Sequence, residues 1–344
     1  MKMSFFMLVI LLISFCCFSV RAGEREPLSA DARKAFTQGA RIEISLSVVD
    51  FTGKPVEGAM VNMGLSQKES GKFKSHAGET DTNGNWRVEA NCSNLIHIRV
   101  MKEGYYETRI KRHLFSVNYA DVNSRIKGRR WLPWNQTVVL KEKRKSTPLF
   151  VVEDKIFKIP LDEDVGLDLL EADLVKPFGT GSVTDLVVRI ASTNILEKGR
   201  RSANRLHLTS ATEEGGIILL PQNCDSQMKS IYHAPTNGFM DAVSFNRNRE
   251  RRGGGRMYDT TMGLDEYAVF RVRVERDDEG RIVKSNYGKI YTLNFGDEGL
   301  TGREGYIKLN YYANPKNNDT NLEWDGKDLN SGCKYDIDKI LAPL

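Results

Sequence analysis

The sequence predicts an all-β chain: an N-terminal transthyretin-like Greek-key β-sandwich, then a second antiparallel β-sandwich or jelly-roll-like domain. Three observations carry the β assignment. Apolar and polar residues alternate with period two in many short runs between Ile42 and Tyr311. Turn signatures punctuate those runs, Asn83-Gly84 being the strongest. After Glu171 no stretch carries a convincing helical spacing. The expected divisions are a signal at 1–22, a lead-in at 23–40, the first sandwich at 41–142, a linker at 143–148 and the second domain at 149–344.

Residues 1–22 read as a secretory signal. Lys2 supplies the charged start, Phe5 to Phe18 the apolar run, and Val20-Arg21-Ala22 a cleavage site after Ala22. The run is short for a bilayer span, and no second one follows, so no span is expected after cleavage. An uncleaved anchor is the competing reading. Lipid attachment at Cys16 or Cys17 is disfavoured because Phe15 stands where a small residue is wanted. The lead-in shows helical spacing at Ala32, Ala35 and Phe36.

The first sandwich begins where Ile42, Ile44, Leu46 and Val48 alternate with Glu43, Ser45, Ser47 and Val49. Asp50 to Pro55 breaks the pattern, because Asp and Gly suit a turn and proline cannot donate to a ladder. Ala59, Val61 and Met63 form one face of the next strand. Trp86, Val88 and Ala90 lead out of the Asn83-Gly84 turn.

These residues resemble the carboxypeptidase regulatory-like domain, a transthyretin-like β-sandwich. The matching elements are Val49-Asp50, Gly53-Lys54-Pro55-Val56, Gly58-Ala59, Val61, Thr80-Asp81, Asn83-Gly84 and Trp86, with Ile96 to Tyr106 and Thr137 to Leu140 behind them. The resemblance covers residues 41–142. It implies a fold and an exported location, but no activity. Related pilin-type domains carry a first-strand lysine that forms an internal isopeptide bond. Its place falls near Val48, and no lysine lies between Ile42 and Phe51, so that bond is not expected. The segment Arg112 to Asn135 is longer than the family needs.

Within that segment, basic residues interleave with aromatics. Arg129, Arg130, Trp131 and Trp134 are the candidate binding residues, since such a mixture suits sugars, single strands or anionic surfaces. The blander reading, which we favour, is a long loop pinned to the sandwich by its tryptophans.

In the second domain, Leu186, Val188 and Ile190 alternate with Val187 and Arg189. Ala268, Phe270, Val272 and Val274 oppose Val269, Arg271, Arg273 and Glu275. Further strands carry Tyr291, Leu293 and Phe295, then Ile307, Leu309 and Tyr311. Phe178 to Ser182 reads as a turn, and the basic, triple-glycine stretch Asn246 to Arg256 as a mobile surface loop.

Function classes are narrowed mainly by what is missing. H-E-x-x-H, G-x-S-x-G, the phosphate-loop pattern and C-x-x-C do not occur. A formal net charge of +5 falls further toward neutrality once Lys2 and Arg21 leave, which argues against a nucleic-acid partner. No catalytic residue, cofactor or metal is assigned. Asp319, Asn321, Glu323 and Asp325 resemble a calcium loop in composition, but Trp324 stands where the turn glycine belongs. His97 and His207 are expected on exposed faces. Cys224 and Cys333 are the expected disulfide if one forms; all three mature cysteines being free or buried is the alternative.

Two functional expectations follow. One is a non-catalytic secreted or periplasmic binding or envelope-associated module, with an envelope protein or glycan as partner. The other is a secreted hydrolase on polysaccharide or peptide, needing convergent carboxylates such as Asp173 and Asp185 in the second domain.

Overall fold

The computed structural model describes residues 28–67, 72–114, 119–195, 201–222, 225–252, 256–260, 266–297 and 304–328. The export signal and the Cys224–Cys333 pair lie outside them. Among the described residues the chain is nearly all β, built from several mainly antiparallel sheets. It divides into two compact units. One comprises Met1–Val49, Lys54–Met101 and Arg109–Val138; the other comprises Asp50–Gly53, Lys102–Thr108 and Val139–Leu344.

The first unit opens with helix α1 (Ala30–Gln38), whose N-cap Ser29 accepts a hydrogen bond from the Ala32 amide. Strands β1 (Ala40–Asp50), β2 (Met60–Gln67), β3 (Lys72–Glu79), β4 (Asn85–Cys92), β5 (Leu95–Met101) and β6 (Thr108–His113) follow. Then come α2 (Tyr119–Arg125), β7 (Ile126–Lys127), β8 (Arg130–Trp131) and β9 (Trp134–Leu140). One sheet runs β4-β1-β8-β7, with β9 also on β1; the other runs β3-β2-β5-β6. The alternation read from sequence sets the faces. Ile42, Ile44, Leu46 and Val48 of β1 are buried, as are Val61, Met63 and Leu65 of β2 and Ile96, Ile98 and Val100 of β5.

The Asp81–Gly84 turn is built as its residues require. The Asp81 carboxylate accepts from the Asn83 and Asn85 amides, and Thr80 is buried between Val56 O and the Ala59 amide. Gly84 adopts φ +73°, and a Cβ there would lie 2.3 Å from Val48 O. The long segment after β6 is not a plain loop. It holds α2 and the short β7–β8 pair, and β8 joins β1 in parallel through Arg130 and Arg41.

The second unit contains β10 (Thr147–Pro160), β11 (Val165–Asp168), β12 (Asp173–Leu174), β13 (Leu186–Ile195), β14 (Arg201–Ser210) and β15 (Gly216–Pro221). It continues with β16 (Ala242–Arg252), β17 (Arg256–Thr260), β18 (Glu266–Arg276), β19 (Ile282–Asp297), β20 (Glu304–Asn314) and β21 (Trp324–Asp328). Two six-stranded sheets result, ordered β15-β18-β19-β20-β10-β21 and β12-β11-β13-β14-β16-β17. The large core contains Phe157, Leu186, Ile190, Leu206, Phe270, Ile307 and Tyr311, drawn from both sheets. A smaller cluster of Ala234, Tyr267, Val269, Tyr287 and Leu322 covers the other face of the first sheet. Central strands of that sheet are therefore buried on both sides.

Residues 246–252 and 256 are not loop, as expected from their charge, but strand. β16 pairs with β14 from Thr209↔Ala242 to Arg201↔Glu250, and with β17 from Asn248↔Thr260 to Arg252↔Arg256. A charged residue can face inward here because it is satisfied. Buried Arg247 donates to Asn294 Oδ1 at 2.8 Å, to Tyr306 Oη at 2.9 Å and to Phe295 O.

Candidate functional site

A buried amine and an aromatic-walled hollow meet on the outer face of the β18-β19-β20-β10 sheet. Directly paired residues on neighbouring strands project to one side. Val269, Lys289, Tyr312 and Val151 form such a rung: Val269 pairs with Lys289, Lys289 with Tyr312, and Tyr312 with Val151. The next rung, Phe270, Gly288 and Ala313, faces the large core. A Cβ at Gly288 would lie 2.1 Å from the Phe270 ring and 2.4 Å from Tyr312 O, so only glycine fits.

Lys289 is 2% exposed, an unusual place for an ammonium group. Its Nζ donates to Leu322 O at 2.6 Å and lies 3.1 Å from Ser230 Oγ. It also sits 5.0 Å from the ring centroids of both Tyr291 and Tyr312. Burial drives its pKa down to about 7, against an opposing pull from Glu323. Burial thus favours the neutral amine.

A cavity of about 340 Å³ opens above this rung. Tyr106, Tyr291, Tyr312, Trp324 and Met228 wall it, with Lys289 in its lining. Tyr291 and Tyr312 meet edge to face at 5.5 Å between centroids, and Tyr312 and Trp324 at 5.4 Å. The Tyr106 phenol donates to buried Glu323 at 2.9 Å, and the Arg144 amide donates to the same oxygen at 2.7 Å. Burial, reinforced by that carboxylate, raises the Tyr106 pKa far above the usual phenol range. Lys143 and Asp325 also line the space. Volume and lining suit one small, flat molecule. A second, more open hollow beside Arg271 is less suited, because that guanidinium is committed to Glu214 O and Thr236 O.

The residues singled out from sequence lie elsewhere. Trp131 is buried, and its indole N–H donates to Cys92 O at 2.8 Å, so it pins the segment rather than offering a ligand face. Arg130 pairs with Glu89, and Arg129 with Asp31 at 3.4 Å; Trp134 begins β9, partly buried. Asp173 and Asp185 do not share a cleft. Asp173 accepts from the Thr180 amide and hydroxyl, closing the 178–182 turn. Asp185 is buried against Arg273 at 2.8 Å, which also holds Asp168 at 2.6 Å. Main-chain amides of Leu169, Leu170, Glu171, Ser182 and Val183 complete both carboxylates, so this is a structural triad with no acid left for a substrate. His97 is not openly exposed: Phe73 stacks on it at 4.7 Å.

Lys289, Ser230, Tyr291 and Tyr312 escaped the sequence reading. The available signal was a lysine inside the otherwise uncharged run Tyr287-Gly288-Lys289-Ile290-Tyr291. Asn321 to Asp325, noted for calcium-like composition, instead supplies the cavity's Trp324 and the buried Glu323. Among the described residues no group of three or more His, Cys, Asp or Glu is arranged to hold a metal ion. Nor, among them, is any helix long and apolar enough to cross a membrane.

No family model matches the chain, and no curated protein does. Among solved structures it is similar to 3-chlorocatechol 1,2-dioxygenase from Rhodococcus opacus 1CP, at 14% identity and TM-score 0.26, over 34% of this chain and 64% of that one. Catechol 1,2-dioxygenase from Acinetobacter sp. ADP1 is similar at 13% identity and TM-score 0.24, over 32% and 57%. A streptococcal ancillary pilin is similar at 10% identity and TM-score 0.20, over 65% and 59%. The chain thus spans less than two thirds of each of these proteins, and scores this low transfer neither their fold nor their activity to it. The expectation of a non-catalytic binding or envelope-associated module, with a polysaccharide or peptide hydrolase as its alternative, is nevertheless corrected. The similar structures named are mainly dioxygenases, not regulatory-like attachments or hydrolases, and the acid pair the hydrolase required is the Arg273 triad and a turn.

Proposed function

We propose that the chain is an enzyme whose second unit acts on a small, flat carbonyl compound through the Lys289 amine. The observation that supports this reading is an ε-amine in the lining of an aromatic-walled cavity, fixed in place by Leu322 O and Ser230 Oγ. An amine lone pair adds to a carbonyl carbon. The two amine hydrogens then leave with the carbonyl oxygen as water, and a C=N bond joins lysine to substrate. Aromatic walls favour a planar substrate and keep bulk water from the bond being made. We further propose that residues 1–22 direct export to a secreted or periplasmic location, and that residues 41–142 are a carboxypeptidase regulatory-like domain. The D-x-x-G-K-P and T-D-x-N-G elements and the buried alternation of β1 support that assignment.

The test uses the purified full chain, 4-hydroxybenzaldehyde and sodium cyanoborohydride, with peptide mass mapping at neutral pH. The expected result is a reduced adduct at Lys289 ahead of every surface lysine, lost in Lys289→Met. Uniform labelling of surface lysines with Lys289 unmodified would refute the reading.

A further inference from the structure

Ser230 is fully buried, and three side chains converge on it. Its carbonyl accepts from Lys141 Nζ at 2.5 Å, and that ammonium also lies 4.6 Å from the Phe51 ring centroid and 5.3 Å from that of Tyr232. Its Oγ accepts from the Tyr291 phenol at 3.0 Å and from Lys289 Nζ at 3.1 Å. A hydroxyl has two lone pairs and one hydrogen, and in a buried site that hydrogen needs an acceptor. An ammonium at Lys289 can only donate to Oγ; once it is a neutral amine, its lone pair is an acceptor in reach, and the Lys289–Ser230 bond reverses. The amine then donates to Leu322 O and accepts from Ser230.

Resting on the amine reading above, we propose that Ser230 is a positioning residue that holds Lys289 neutral and links it through Tyr291 to the cavity. Tyr291 lines that cavity, so the path Lys289–Ser230–Tyr291 ends where a carbonyl oxygen would lie. On addition, nitrogen gains a bond to carbon and a positive charge, and the carbonyl oxygen a negative one. For this to proceed both hydroxyls first turn: Tyr291 donates to the carbonyl oxygen, Ser230 donates to Tyr291, and the Lys289 lone pair is freed to attack. One proton then passes from nitrogen to Ser230 Oγ, the Ser230 proton to Tyr291, and the Tyr291 proton to the carbonyl oxygen. Each hydroxyl is restored, and a neutral carbinolamine remains.

Other groups also bear on the charge of Lys289. Burial disfavours the ammonium form and Glu323 favours it; Lys141, reached through Ser230, and Lys143 at the cavity are the neighbouring cations. Asp325 lines the same space, and the phenols of Tyr106, Tyr267, Tyr287 and Tyr312 surround the rung. Direction separates Ser230 from all of them. If Ser230 donates to a neutral amine, its removal raises the lysine pKa. If it accepts from an ammonium, its removal lowers it.

The experiment is a pH titration of ¹³Cε-labelled lysine by NMR in the intact protein, Ser230→Ala, Ser230→Thr and Tyr291→Phe. Lys289 is assigned by its loss in Lys289→Met. The expected result is a near-neutral midpoint that rises by about one unit in Ser230→Ala, the worth of one hydrogen bond, and returns in Ser230→Thr. Tyr291→Phe moves the same way and leaves no cavity at the serine. A midpoint that falls or stays fixed in both Ser230→Ala and Tyr291→Phe overturns the relay while sparing the amine. A midpoint in the ordinary lysine range in the unaltered protein overturns both.

Discussion

Replacing Lys289 by methionine gives the sharpest test of the buried amine. The folded protein holds this group at a pKa of about 7, against a free value of 10.5. Between those values the unfolded chain binds more protons than the folded one, so stability rises with pH across that window. The penalty for burying the lysine is full below the folded pKa and gone above the unfolded one. Integrated, it is about 4 kcal/mol at pH 7 and about 2 kcal/mol at pH 9. Methionine fills similar space but leaves Leu322 O without its donor, a fixed cost of about 1–3 kcal/mol. That cost does not vary with pH, so the slope is diagnostic where the offset is not. Urea unfolding of both proteins from pH 6 to pH 10 should show the original gaining about 2 kcal/mol on the variant between pH 7 and pH 9. A flat difference, or one of opposite sign, would refute the reasoning.

Three further outcomes can be checked directly. Asp185→Asn leaves Arg273 against a weaker partner in a buried site and should cost about 3–5 kcal/mol, read by denaturant midpoint. Gly84→Ala sets a methyl group 2.3 Å from Val48 O at positive φ and should cost about 2 kcal/mol or more, read as a lowered Tm. Cys92 is buried, and its thiol is pushed up to about 11 by desolvation. In a Cys224→Ser, Cys333→Ser background the native protein should resist maleimide at neutral pH and react once unfolded.

Period-two alternation was legible wherever one sheet face is wet. Ile42 to Val48 therefore appeared in sequence as they stand in the fold, and the Asp81–Gly84 turn announced itself through residue types that few other conformations need. The second unit was harder because its first sheet is covered on both faces, which erases the polar half of the pattern. A bulge hid one feature entirely. Strict alternation sets Arg273 beside Arg271, but pairing shifts between Val272 and Glu275, and φ is +54° at Arg273. Its guanidinium consequently reaches Asp168 and Asp185, partners more than 85 positions away in sequence. No local signal encodes such a pairing. The same holds for Ser230, whose contacts with Lys141, Lys289 and Tyr291 are made by the fold alone.

Gly288 and Lys289 together act as a registration mark for β19. Sliding that strand by one position against β18 and β20 would thrust an amine at the Phe270 ring and leave the cavity without its nitrogen. Few places in a sheet punish misalignment on both faces at once. The chemistry proposed for this protein and the threading of its middle strand therefore answer to the same two residues, and selection on one constrains the other.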